Sequence, residues 1–426
     1  MSQQRNAIPG PDNITRVVFD NGITVLVREN HAAPVTVLEG CLPAGSLSDP
    51  LNKIGLSSFV ASMLTRGSAH YDFDTFNETI ESIGASLGVG SDTHWTHFSA
   101  TSLSEDFPTI SEVLADILRR PTFPPEHVER LRGQKLVYLQ EREQDTQQVA
   151  NYRFYETIYP NHPYGRPSSG YLETVSAIQQ ADLPKFYEQH YTPNGAIIVV
   201  VGDVQTGAVL DWLNKQLGDW RAVTTRPQTP PVAPQSQVQQ KLYPIPGKVQ
   251  SDIMIGCLAV ARQDPDYYAV RVANTVLGQF GMMGRLGEQV REQQGLAYYC
   301  GSSLDAEFAS GAWYASAGVN PENVEQAVDS ILAEFARLGD ELVSAEELAD
   351  SQAYMTGVLP LTLETNEGVA STLINMERYG LGLDYLQRYN QLIYGITPAD
   401  VQRVARRYLR PDHYTLVVAG PSTGEA

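Results

Sequence analysis

The feature that most constrains this chain is a segment that occurs twice. "YTPNGAIIVVVGDV" (191–204) and "YLRPDHYTLVVAGP" (408–421) each run from a Tyr through a Pro and a polar pair into an apolar, β-branched stretch. Such a run, bounded by turn residues, reads as a buried strand. The stretches before the two copies, "SAIQQADLPKFYEQH" and "TPADVQRVARR", begin with Ser or Thr and place an Asp in the first turn, as helices do. Pro193 and Pro411 lie about half the chain apart. A solenoid unit would recur every ~20–50 residues, so this repeat is a duplicated domain.

The duplication sets the expected architecture. Two homologous domains are placed at 1–223 and 241–426. The segment "TTRPQTPPVAPQSQVQQ" (224–240), rich in Pro, Gln and Thr, reads as an extended linker between them. Within the first half, "NGITVLVREN" is a turn followed by a strand. "FDTFNETIESIG" is a helix closed by Gly84. "ASLGVGSDTHWTHFSATSL" alternates like a strand with one covered face. "SEDFPTISEVLADILRRP" reads as a helix capped by Ser104, with Glu105 and Asp106 near its positive end. Single helices between alternating strands, with no phosphate loop, predict an α+β fold. Each half is a mostly antiparallel sheet covered by helices.

Composition removes several classes of function. With 42% hydrophobic and 19% charged residues and no long like-charge run, wholesale disorder is excluded. The 30 basic and 49 acidic residues leave a net charge of −19, which repels nucleic acid and anionic lipid. Cys41, Cys257 and Cys300 are widely spaced and form no CxxC, so they read as buried thiols in a reducing compartment. No apolar run of about 18 residues exists, and "MSQQRNAIPGPDN" lacks the apolar core of a signal peptide. A soluble cytoplasmic protein is the expectation.

Catalytic motifs are sparse. The sequence has no HExxH and no HxxEH. His94 and His97 are the closest histidine pair, and a three-residue offset on one strand would point them to opposite faces. Glycines 278, 281 and 284 in "GQFGMMGRL" match neither dinucleotide nor phosphate loops; a flexible loop opening a helix, or contact with a peptide backbone, is left. In "GLSSFVASMLTRGS" (55–68), Ser58 and Ser62 share one helix face at four-residue spacing.

Together, "GLSSFVASMLTRGS", "RPTFP" (120–124), "YPNHPYGRPSSG" (159–170) and "REQQGLAYYCGSS" (291–303) resemble the pitrilysin–insulinase zinc peptidases. The likeness covers nearly the whole chain and is strongest to the half-length group that includes the mitochondrial processing peptidase. Active members carry His-x-x-Glu-His, in which two histidines one turn apart grip zinc and the glutamate activates water. Here the same positions read Ser58-Phe59-Val60-Ala61-Ser62. Counting to the family's third ligand lands on Leu139; Glu141 is reached only with a shift. Hydroxyls are poor zinc ligands beside imidazole or carboxylate. The resemblance thus implies a chain without zinc of its own, inactive alone.

The family also places an arginine and a tyrosine seven residues apart around "GLAY", where Arg291 and Tyr298 stand. The resemblance implies that Arg291 holds the substrate backbone and Tyr298 steadies the oxyanion across a clamshell chamber. It implies as partners a homologous zinc-bearing subunit, which carries the Zn, and an unfolded peptide substrate. The alternative is an inactive homodimeric scaffold or peptide-binding protein of the same fold.

Overall fold

The computed structural model describes residues 8–221 and 228–421. Residues 224–227 of the expected linker lie outside the described residues, and 228–238 form no regular element. In chain order the strands are β1 (Thr15–Val18), β2 (Thr24–Glu29), β3 (Val35–Leu42), β4 (Ser86–Ser91), β5 (Thr96–Leu103), β6 (Ile197–Gly202), β7 (Gln239–Pro244), β8 (Ser251–Leu258), β9 (Ala297–Asp305), β10 (Ala312–Val319) and β11 (Thr415–Gly420). The helices up to the second sheet are α1 (Leu56–Met63), α2 (Phe73–Ser82), α3 (Phe107–Arg119), α4 (Pro125–Arg142), α5 (Thr146–Ile158), α6 (Leu172–Ala177), α7 (Asp182–His190) and α8 (Thr206–Leu217). Then follow α9 (Tyr267–Asn274), α10 (Val324–Asp340), α11 (Ala345–Thr362), α12 (Asn366–Arg378), α13 (Tyr385–Tyr394) and α14 (Pro398–Tyr408).

The two sheets show the duplication directly. One has the order β1-β2-β6-β3-β5-β4, the other β7-β11-β8-β10-β9. Apart from β1, every strand has a counterpart. Each sheet contains one parallel pair, β2 with β6 and β7 with β11, and is otherwise antiparallel. The repeated segments form β6 and β11. Both are interior strands, buried at every residue, which is why they carry continuous apolar runs and not an alternating pattern. The fold is α+β, with two mostly antiparallel sheets covered by helices.

Two compact units are assembled from alternating pieces of the chain. The first is Met1–Leu139, Pro167–Gln228 and Pro360–Arg388; the second is Gln140–Arg166, Thr229–Leu359 and Tyr389–Ala426. Each sequence half therefore sends one helix to the other half's sheet. Helix α5 packs on β8 and β11, and α12 packs on β6 and β3. The two helices match in sequence. Asp145 and Thr365 cap them by accepting the backbone N–H three residues on. Four residues after each cap stands a buried Val-Ala pair, Val149-Ala150 and Val369-Ala370.

Local expectations are met and corrected in turn. Asn21-Gly22 forms the β1–β2 turn, with Gly22 at φ 89°, and Gly84 ends α2 at φ 59°. The stretch 85–103 is not one strand but the hairpin β4–β5. The Asp92 carboxylate accepts the backbone N–H groups of His94 and Trp95, both at 2.7 Å, and this turns the chain. Ser104 does not cap α3. Its hydroxyl bonds that of Thr36 at 2.9 Å, and Ser104–Asp106 forms a separate 3-10 turn. The three cysteines are buried free thiols, and burial pushes Cys257 and Cys300 up to about 12. Among the described residues no helix is long and apolar enough to cross a membrane.

The helix exchange carries a prediction. A fragment ending at residue 223 keeps the first sheet but loses α12, exposing the apolar face that Val369, Leu373 and Ile374 cover. Expressed alone, it should lack a cooperative thermal transition. Co-expression with 224–426 should restore one; a sharp melt for the fragment by itself would show that α12 is dispensable.

Candidate functional site

The helix read from "GLSSFVASM" is α1, and its own packing holds it. Gly55 precedes it at φ 100°, a conformation that favours glycine. The Asp49 carboxylate accepts the N–H of Gly55 at 2.7 Å and of Ser57 at 2.8 Å, satisfying donors that a helix start leaves open. Phe59, Val60 and Met63 are fully buried in the first unit's core. Burial pushes the Asp49 carboxyl up to about 7, against the hydrogen bonds that pull it down.

On the face where the family holds zinc, no ligand set is present. Ser62 Oγ donates to the carbonyl of Ser58 at 2.7 Å, a bond within its own helix. Ala61 is buried and has no donor atom. Leu139 on α4 is fully buried in the same apolar cluster, whereas Glu141 is exposed. The space beside Ser58 belongs to a cation already. Lys135 of α4, one turn before Leu139, donates from Nζ to Ser58 Oγ at 3.0 Å and lies 5.9 Å from the Phe59 ring centre. Burial, with the Arg66 guanidinium nearby, pulls this ammonium down to about 8, so at neutral pH it stays largely charged. A divalent ion here would meet the hydroxyls of Ser58 and Ser62, no imidazole at either position, and a positive charge. Among the described residues no group of three His, Cys, Asp or Glu could hold a metal. Zinc does not fit this helix. Lys135 went unnoticed in the sequence, although its place one helical turn before Leu139 was the available signal.

Arg291 and Tyr298 lie in the second unit on consecutive elements. Arg291 sits in a helical turn of π type, Gly287–Gln293; Gly295, at φ 64°, redirects the chain, and Tyr298 is the second residue of β9. The two elements pack on each other. β9 is an edge strand. Tyr298 is 64% exposed, and its hydroxyl has no hydrogen bond among the described residues. Arg291 is 42% exposed and, among the described residues, its guanidinium forms an ion pair only with its neighbour Glu292, at 3.8 Å. By contrast, Tyr299 turns the other way and donates to Asp252 at 2.6 Å. One phenol and one guanidinium are thus presented outward, unspent.

In the glycine segment 278–287 the tip, with Met282 and Met283, is exposed, whereas Gly278 and Gly284 are closely packed. A Cβ at Gly284 would lie 2.8 Å from Gly278 Cα, and one at Gly278 2.6 Å from the Ser302 nitrogen of β9. The histidine pair also resolves. His94 is buried in the hairpin turn, and His97 on β5 bonds Asp92 at 2.5 Å.

Comparison with known proteins agrees with this geometry. Residues 24–170 match the insulinase (peptidase family M16) model and 177–355 the peptidase M16 inactive-domain model. An uncharacterized zinc protease of Streptomyces coelicolor is 26% identical over 97% of this chain and 90% of its own length. A non-peptidase homolog of Helicobacter pylori is 26% identical over 86% of this chain and 84% of its own. A Pseudomonas fluorescens structure described as a peptidase M16 inactive domain superposes with a TM-score of 0.89 at 25% identity, covering 96% of this chain and 98% of that one.

Two measurements check the site. Zinc titrated into the chain should show no stoichiometric binding. The variant Ser58→His/Ala61→Glu/Ser62→His should also show none while Leu139 and Lys135 remain; a tight site in either would refute the account. Separately, the raised Asp49 carboxyl favours the folded state fully below about pH 4, its ordinary range, and loses that contribution as pH rises through about 7. Asp49→Asn should flatten this fall in melting temperature between pH 4 and 7; parallel pH profiles would contradict it. From its two halves' family matches, its matched sheets and its altered zinc helix, the chain belongs to the insulinase-like M16 family.

Proposed function

We propose that this chain is the zinc-lacking subunit of a heteromeric M16 metallopeptidase. A homologous partner carries the zinc helix, and the pair processes or degrades unfolded peptides. In that pair the partner supplies the metal and the base that activates water. This chain supplies Tyr298, whose O–H donates to the oxyanion formed when water adds to the scissile carbonyl, and Arg291, which holds the neighbouring substrate backbone. A preoriented phenol and a fixed guanidinium stabilise developing charge with little reorganisation.

The observation that carries the reading is an asymmetry. The metal side is filled by Lys135, Ala61 and Leu139, while Tyr298 stands exposed with no hydrogen bond among the described residues and Arg291 stands exposed beside Glu292, both on packed elements. The non-peptidase description of the Helicobacter pylori relative fits a chain that does not cleave by itself.

The test is reconstitution with a homologue that carries the intact zinc motif. Each chain alone should turn over no peptide, and the mixture should. Tyr298→Phe in the mixture should lower kcat by about ten- to a hundredfold, and Arg291→Ala should chiefly raise KM. Unchanged kinetics in both variants would leave the inactive homodimeric scaffold as the better account.

A further inference from the structure

The face of the first sheet that α12 covers contains a cleft of about 420 Å³. Helix α12 lies over β6 and β3 and leaves the β5–β4 side open. The sheet wall is Glu39, His97 and the edge-strand glycines Gly88 and Gly90; Asn375 and Arg378 form the helix wall.

The second unit shows what normally fills this space. Matching the repeated strands pairs Val200 with Val418. Their neighbours are Leu38 and Ile253, so Glu39 corresponds to Met254. Cys41 lies opposite His97 and Gly256 opposite Tyr314, so His97 corresponds to Tyr314. Counting from the caps Thr365 and Asp145, Asn375 corresponds to Tyr155. In the second unit Tyr155 and Tyr314 pack edge to face with centres 6.2 Å apart, Tyr155 donates to Asp305, and Met254 is buried. The first unit replaces two phenol rings and a thioether with an amide, an imidazole and a carboxylate. The cleft is the room those rings vacate.

Its polar groups are incompletely matched. Glu39 is half-buried, and no hydrogen bond among the described residues supports its carboxylate; burial, then the nearby Glu367, pushes it upward against the pull of His97. The Arg378 side chain is only 10% exposed. Its Nε is buried without a hydrogen-bond partner among the described residues. The guanidinium is held 3.7 Å from Asp92 and 5.0 Å from the Trp95 ring centre, so its charge is largely answered while that N–H is not. A cation would relieve Glu39.

We propose that this cleft is a side-chain pocket for a basic residue, Arg or Lys, of an extended peptide. The cationic head meets Glu39, and the aliphatic stem lies along Ile374. The inference rests on the reading of this chain as a peptide-handling subunit and adds a preference to it.

Calorimetric titration of the full chain tests the pocket. The probes are capped five-residue peptides with arginine, lysine or norleucine at the centre of alanines. The arginine and lysine peptides should bind about tenfold or more tightly than the norleucine peptide, as a charged hydrogen bond implies. Glu39→Gln should erase that difference. Asn375→Tyr, which copies Tyr155, should block all three; Ser371→Phe on the same wall serves if that variant fails to melt cooperatively. Equal affinities for the three peptides, insensitivity to Glu39→Gln, or no binding by the unaltered chain would each overturn the proposal. Binding that ignores Glu39 would leave the subunit reading standing, since that is decided by turnover in the mixed complex.

Discussion

The structure depends on the exchange of α5 and α12. Neither sheet is covered by helices from its own half of the sequence alone. The β6–β3 face waits for residues 366–378, and the β8–β11 face takes residues 146–158. Burying these helices removes Val149, Phe154, Leu373 and Ile374 from water, side chains worth roughly 1.5–3 kcal/mol each when fully buried. The sequence halves therefore cannot reach full stability independently. The first sheet is covered only after most of the chain exists, which places this fold among slow, non-local ones.

The exchange also explains how far the sequence could be read. The duplication was legible because β6 and β11 are interior strands, and burial on both faces demands continuous apolar residues there. The helix inside "GLSSFVASM" was legible from its apolar content. Exchange, however, leaves no trace in composition, since α5 and α12 keep the same buried Val-Ala face whichever sheet they meet. Punctuation by side chains was hidden as well. Asp92 folds 85–103 into a hairpin through two hydrogen bonds, and alternation on either side of it reads as one strand. Ser104 looked like a cap because its side chain suits one, but tertiary pairing with Thr36 claims it instead.

At the altered zinc helix, the sequence disclosed the loss and the structure the replacement. Absent ligands alone would have left a pocket of small polar groups beside Phe59. Lys135 occupies it, and its bond to Ser58 takes the hydroxyl nearest to serving as a metal donor. The ammonium comes on a flexible stem whose carbons pack against apolar neighbours, so it can be half-buried and still charged. A cation from the protein now stands beside the helix position where the zinc motif would place its first histidine.

That replacement bears on why α1 persists at all. In a domain held by a structural metal, losing the ligands unfolds the element that carried them. Here the helix start is closed by Asp49, the N-terminal turn by Gly55, and one face by Phe59, Val60 and Met63 in the core. None of these groups is a metal ligand. The helix was therefore free to lose its chemistry without losing its place, because the forces that position it are separate from the atoms that once faced the metal. The second unit differs: Arg291 and Tyr298 are exposed, and burial does not fix them as it fixes Phe59, Val60 and Met63 beside Ser58.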